Sequence, residues 1–143
     1  KTDVDEMRVR REQLSDELKA RYKLFAYLHS EEMGLALAVA DVVVSRAGAS
    51  ILGEFPLMGL PAILAPYQFA WRYQKVNADY LVEQGAAVRL DATTLDRMLW
   101  PALEGLLGDE VRWTAMQERA RALARPDAAA NLAAQLRALA GAA

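Results

Sequence analysis

Apolar residues along the chain gather in two ways: short unbroken runs, and longer stretches with helical spacing. Residues 3–21 (DVDEMRVRREQLSDELKAR) carry a sparse stripe of Val4, Met7, Leu14 and Leu18 among charges, which predicts one highly charged helix. KLFAYL at 23–28 is short, apolar and aromatic, and reads as a strand. Ser30 followed by Glu31 and Glu32 gives a cap and an acidic first turn, opening a helix through Met33, Leu35, Leu37 and Val39. In DVVVSR (41–46) three valines run without polar alternation, the pattern of a strand buried on both faces. The turn Ala47-Gly48-Ala49 leads into a helix over about 49–58, with Gly59 placed to cap it. PAILAP (61–66) is the next buried strand. After a loop at Tyr67–Trp71, a helix runs to about Gln84 and stops at Gly85, and AAVRL (86–90) is a further strand. Thr93, with Asp96, is expected to cap a helix over 94–107, and Asp109 another to about 124. Arg125-Pro126-Asp127 opens the last helix, whose Leu132, Leu136 and Leu139 predict a packed face with a frayed tip.

Strands and helices of 10–15 residues thus alternate as βαβαβα. The fold class that follows is α/β: a three-layer arrangement with a parallel sheet between helices. Composition narrows the function. The 143 residues are 54% hydrophobic with a net charge of −2, which excludes intrinsic disorder. Without cysteine there is no disulfide, thiolate metal site or cysteine nucleophile. A pI near 5.5 argues against a nucleic-acid partner, since phosphate neutralisation needs a basic field. The longest apolar runs, about seven or eight residues, are too short to span a bilayer.

Ligands of open parallel sheets bind beyond the carboxyl ends of the strands. Two loops qualify, 45–50 and 66–74. The first turns on Gly48 and starts a helix, so its N–H groups offer an anion site with Arg46 nearby. Glu54, one turn on, can accept two hydrogen bonds from vicinal hydroxyls such as those of a ribose. Each piece has a plainer reading. The glycine can be only a turn, Arg46 a surface cation and Glu54 a solvated helix acid. His29, the only histidine, can simply be packed or solvated. Tyr67, Phe69, Trp71 and Tyr73 either pack on the sheet end or form a ligand wall. Glu31-Glu32 and Asp109-Glu110 are helix-start acids, and no metal site is read from them.

The spacing of these pieces is more specific than any one of them. EEM-GLALAVADVVVSRAGASILGE-FPLMGLPAILAPYQ, then Gln74, Asn77 and Ala78, then EQGAAV and ALARPDAA, resembles one glycosyltransferase family over roughly residues 22–139. It is similar to the C-terminal, donor-binding half of the bacterial enzymes that transfer N-acetylglucosamine to the membrane-bound peptidoglycan lipid intermediate. The resemblance implies two Rossmann-like domains in a GT-B arrangement, an inverting transfer from UDP-N-acetylglucosamine, and no metal or cofactor besides the nucleotide-sugar substrate. It places the ribose-binding glutamate at Glu54 and the main-chain donors for diphosphate or sugar at Ala49 and Ser50. Uracil is expected beside His29 and Ser30. The glutamine that contacts sugar hydroxyls falls on Gln74, its neighbour on Tyr73, and a loop-bracing asparagine on Asn77.

The chain departs from the family at Ala70-Trp71-Arg72, where acidic residues are usual, which bears on the identity of the sugar. The family's first donor-domain strands and Gly-Gly-Ser loop are not found before Asp3. Residues 1–143 are therefore expected to be a partial donor-binding domain, without the acceptor domain and without the catalytic base, inactive in isolation. Strand 41–46 would then expose an apolar edge that pairs with another segment or chain. The expected acceptor is lipid-linked and reached through the other domain, and the expected location is the cytoplasmic face of the membrane. Two alternatives stand beside this reading: a related transferase using another nucleotide sugar with a lipid or metabolite acceptor, and a non-catalytic interaction module on the same fold.

Overall fold

The computed structural model describes residues 3–67, 69 and 73–141. The chain forms two compact units, Lys1–Ala36 and Leu37–Ala143.

In the first unit the expected single helix is two, α1 (Asp3–Glu12) and α2 (Asp16–Arg21). Ser15 breaks them apart. Its backbone is extended, and its hydroxyl accepts the Leu18 N–H at 3.4 Å, so it caps a new helix whose first turn holds Asp16 and Glu17. Arg11 donates to the carbonyls of Lys19 and Tyr22, both at 2.9 Å, and so covers the carbonyl end of α2. Residues 23–28 are not a strand. No ladder reaches them among the described residues, and Phe25 and Tyr27 are 62% and 75% exposed. β-propensity expresses itself only on a surface that supplies a pairing partner and burial. The helix α3 (Ser30–Val39) is capped by His29 rather than Ser30. The His29 N–H donates to Glu32 Oε2 at 2.9 Å, the half of a capping box that the third helical residue supplies, while the His29 carbonyl accepts the first helical bond from Met33.

The second unit is built on three parallel strands, β1 (Val43–Ser45), β2 (Ala62–Leu64) and β3 (Ala87–Arg89), in the order β1-β2-β3. Val44 pairs with Ile63, which pairs with Val88. Helix α4 (Ile51–Met58) crosses from β1 to β2, and α5 (Tyr73–Glu83) from β2 to β3. They are followed by α6 (Leu95–Leu107), α7 (Glu110–Ala122) and α8 (Ala128–Gly141). β2 is buried throughout and divides two cores. Ala62 and Leu64 pack with Ile51, Phe55, Ala78 and Leu81 from α4 and α5. Ile63 faces the other way, with Leu106 of α6 and Met116 of α7. This two-sided burial is why PAILAP carries no polar alternation. Trp113 of α7 donates its indole N–H to the Asp41 carbonyl at 2.8 Å, fixing the entry to β1.

Both crossover helices end on the expected glycines. Gly59 (φ 62°) and Gly85 (φ 71°) sit in the left-handed region, and the following residues reach back to Phe55 and Leu81 at 2.9 Å. The side chains of Arg121 and Arg119 lie over these two turns, so a Cβ at either glycine would come within 3 Å of an arginine stem. Other expectations need correction. Thr93 is not a cap; its N–H and hydroxyl both turn to the Asp91 carboxylate, at 2.8 and 2.6 Å, and Thr94 begins α6 instead. Nor does Asp96 complete a cap there, because Thr94 makes no side-chain capping bond. Asp109 does cap α7, accepting from Arg112 at 2.9 Å. The last helix starts at Ala128, two residues after Pro126, and its leucine stripe is not packed: Leu132, Leu136 and Leu139 are exposed.

Asp79 on α5 accepts a hydrogen bond from Lys75 at 2.7 Å and pairs with Arg89 at the end of β3. The Lys75 hydrogen bond, with the two positive charges, holds its carboxyl below the usual carboxylate value against a smaller desolvation effect. The native state therefore favours the ionised form. Its contribution is complete above about pH 4 and is lost as pH falls through the depressed native value. Asp79→Asn should flatten the acid limb of the stability curve while changing neutral-pH stability by less than about 1 kcal/mol, as expected for a partly exposed pair. Urea unfolding between pH 2.5 and 7 checks this. Gly59→Ala and Gly85→Ala should each destabilise by about 1–2 kcal/mol, from left-handed backbone strain and displacement of the arginine stems. Thermal unfolding reads this as a drop of several degrees.

Candidate functional site

The carboxyl ends of β1 and β2 lie side by side, because the ladder continues to the Ala65 N–H donating to the Ser45 carbonyl at 2.9 Å. Beyond that rung the chain leaves β1 through Arg46 to Ser50 and enters α4. It leaves β2 through Pro66 and Tyr67 toward α5. The two exits are held together by side chains. Arg46 Nη1 donates to the Ala65 carbonyl at 2.9 Å, and its guanidinium lies over the Tyr67 ring, 5.5 Å from the centroid. Tyr67 meets Phe69 edge-on, with centroids 5.5 Å apart. From α5, Asn77 Nδ2 donates to the Ala47 carbonyl at 3.0 Å, and Gln74 Oε1 accepts the Tyr67 N–H at 2.8 Å.

The first exit is a turn rich in unclaimed donors. Ala47 is fully buried and anchors it, whereas Ala49 and Ser50 are exposed. The carbonyls of Ala49 and Ser50 accept the first helical bonds, from Leu52, Gly53 and Glu54. No acceptor for the N–H groups of Ala49, Ser50 or Ile51 is found among the described residues. These groups are the positive end of α4, and they face an anion favourably. Gly48 has ordinary backbone angles, and a Cβ there would meet no atom within 4 Å. The fold itself therefore has no need of glycine at this position.

Glu54 follows Ser50 by four residues, so the two stand one above the other on α4. Its carboxylate is exposed and has no hydrogen-bond or ion-pair partner among the described residues. Exposure alone suits a solvated acid as well as a hydroxyl ligand. The unclaimed N–H groups one turn away give it a chemical context. Gln74 is half-buried with its oxygen committed to a backbone donor, so its amide nitrogen is left to donate outward. Tyr73, at the first position of α5, is 67% exposed.

Of the expected site residues, Arg46, Gly48, Ala49, Ser50, Glu54, Tyr73, Gln74 and Asn77 thus lie on the two exits or on the helices they open. His29 and Ser30 belong to the first unit, at the start of α3, where the Tyr27 and His29 rings meet edge-on at 5.0 Å. Gln68, Ala70, Trp71 and Arg72, which include the departures from the family pattern, lie outside the described residues. No group of three or more metal-ligating side chains occurs among the described residues. The tie from Arg46 to Ala65 had no signature in the sequence: nothing in an S-R-A-G run says that the guanidinium will turn to a carbonyl nineteen residues on.

Comparison with known proteins identifies the family. The family described as "Glycosyltransferase family 28 C-terminal domain" matches residues 3–132. A relative from Roseiflexus sp. (strain RS-1), named UDP-N-acetylglucosamine–N-acetylmuramyl-(pentapeptide) pyrophosphoryl-undecaprenol N-acetylglucosamine transferase, is 49% identical over 138 residues, covering 84% of this chain and 31% of its own. A protein of the same name from Salinibacter ruber is 41% identical over 128 residues, covering 89% of this chain and 35% of its own. The crystal structure of MurG from Acinetobacter baumannii superposes with a TM-score of 0.70 at 27% identity, over 80% of this chain and 34% of that one. The chain spans about a third of the length of these relatives. On a match that takes in both strand exits and the helices around them, the chain belongs to glycosyltransferase family 28 and carries that family's C-terminal domain.

Proposed function

We propose that this domain binds the nucleotide-sugar donor in an inverting transfer of N-acetylglucosamine from UDP-N-acetylglucosamine to a lipid-linked peptidoglycan precursor. The observation that carries the reading is the β1–α4 turn: N–H groups at Ala49 and Ser50 and a carboxylate at Glu54 one turn on, all without partners among the described residues, with an open approach over Gly48. The names of the relatives supply the donor and acceptor classes.

In this reading the diphosphate lies against the Ala49 and Ser50 N–H groups, and Glu54 accepts the two ribose hydroxyls. Gln74 donates to a sugar hydroxyl oxygen through its amide nitrogen, while its carbonyl oxygen holds the Tyr67 N–H. Tyr73 flanks it. The base contact at His29 and Ser30 rests on the resemblance alone. The acceptor hydroxyl attacks the anomeric carbon from the face opposite the diphosphate, the C1–O bond breaks, and the charge that develops on the departing diphosphate is met by fixed N–H dipoles. Such a site needs no strongly basic surface, in keeping with the chain's net charge of −2. The acceptor site and the base that takes the acceptor proton are assigned to the rest of the protein, so this domain alone does not turn over. A lipid-linked acceptor calls for a membrane surface, and the face assigned in this reading is the cytoplasmic one; no helix among the described residues is long and apolar enough to cross a membrane. β1 has one strand neighbour among the described residues, and its open side, with Val44 at 42% exposure, is the edge proposed to pair with another segment or chain.

Glu54→Ala in the full-length enzyme should weaken UDP-N-acetylglucosamine binding at least about tenfold, as expected for losing hydrogen bonds to a charged acceptor. Calorimetry reads this directly, and an unchanged dissociation constant would remove Glu54 from the site. Gly48→Ala should weaken donor binding by a similar factor while leaving the unfolding midpoint unchanged or slightly higher, because the fold has room for the methyl group. Equal donor affinity in this variant would mean that no ligand approaches the turn closely.

A further inference from the structure

Arg46 is fixed at both ends. Its own carbonyl accepts the Ser45 hydroxyl at 2.8 Å, and its guanidinium spans to the other strand exit. There it meets the carbonyl of Ala65, a residue only 2% exposed whose N–H makes the last rung of the β1–β2 ladder. A buried carbonyl is costly to leave without a donor, so the bond is a structural commitment. The same guanidinium lies over the Tyr67 ring, an arrangement favoured by the ring's negative face. The Tyr67 N–H in turn ends on Gln74 Oε1. A continuous set of contacts therefore runs from the end of β1 through Arg46, Ala65 and Tyr67 to the first turn of α5. The anion-facing donors, Ala49 and Ser50, are not part of it.

We propose that Arg46 is a positioning residue: it holds the Tyr67–Gln74 connection against the β1–α4 turn, and so sets the sugar end of the donor site, without itself meeting the diphosphate. This rests on the donor-site reading above. A charge that bound phosphate would act on UDP and on the UDP-sugar alike. A brace that places Gln74 acts only on the increment the sugar adds.

The test compares UDP with UDP-N-acetylglucosamine by calorimetry on the full-length protein. Arg46→Ala should keep the UDP dissociation constant within about twofold and reduce the preference for the UDP-sugar over UDP about tenfold, the loss expected of one displaced hydrogen bond. Arg46→Lys should lose most of the same preference, since a compact ammonium does not reproduce a group broad enough to lie over the ring and donate to the carbonyl together. The Arg46→Ala/Gln74→Ala double variant should lose no more than Gln74→Ala alone, because the two act through one contact chain. Equal weakening of both ligands in Arg46→Ala, restored in Arg46→Lys, would make Arg46 a phosphate ligand and overturn the proposal. Hydrogen exchange in the ligand-free protein separates this from the donor-site reading. Exchange at the Tyr67 amide should be at least about tenfold faster in Arg46→Ala, and unchanged exchange there overturns the brace. Wild-type protein with no affinity for either nucleotide would strike the donor-site reading instead, and with it the assignment of the brace to a sugar.

Discussion

The complete burial of β2 is the constraint on which the second unit depends. β2 lies between two parallel neighbours, which leaves it no free edge, and all three of its residues are buried, so helices must cover both of its faces. Ala62 and Leu64 commit one face to α4 and α5, and Ile63 commits the other to α6 and α7. α7 serves both, with Met116 in one core and Ala120 in the other. Once α4 and α5 are committed in this way, their first turns sit at the carboxyl ends of β1 and β2. The candidate site is a consequence of the layering, as expected where a parallel sheet delivers several helix starts to one edge.

What the site offers is mostly backbone. The turn after β1 supplies N–H groups and an open approach, and side chains determine where the second exit lies relative to it. Asn77 and Gln74 reach from α5 to both exits, and Arg46 reaches from one exit to the other. Such a site demands little of the overall charge and much of geometry, since a displaced loop forfeits hydrogen bonds that a flexible charged side chain would keep.

The parts legible in the sequence are those governed by local rules. The valine run, PAILAP and AAVRL are the three strands, though each ladder is only three residues long. Gly59 and Gly85 end their helices because a left-handed residue must close each turn, and Asp109 caps α7 with its own side chain. The candidate turn at 46–50 was legible for the same reason: strand, glycine and helix follow one another in the chain. Where partners decided the outcome, the sequence misled. KLFAYL has strand composition without a ladder, Ser15 divides a charged stretch that reads as continuous, and the leucines of α8 keep helical spacing while remaining exposed. The long-range ties of Arg46 and Trp113 depend on atoms brought together only by folding, and no local spacing announces them.

The most direct measurement is a crystal structure of the full-length protein with UDP-N-acetylglucosamine bound. The diphosphate oxygens should lie about 3 Å from the Ala49 and Ser50 nitrogens, with both Glu54 carboxylate oxygens on the ribose hydroxyls. A nucleotide held away from this turn, with Glu54 still in solvent, would contradict the account.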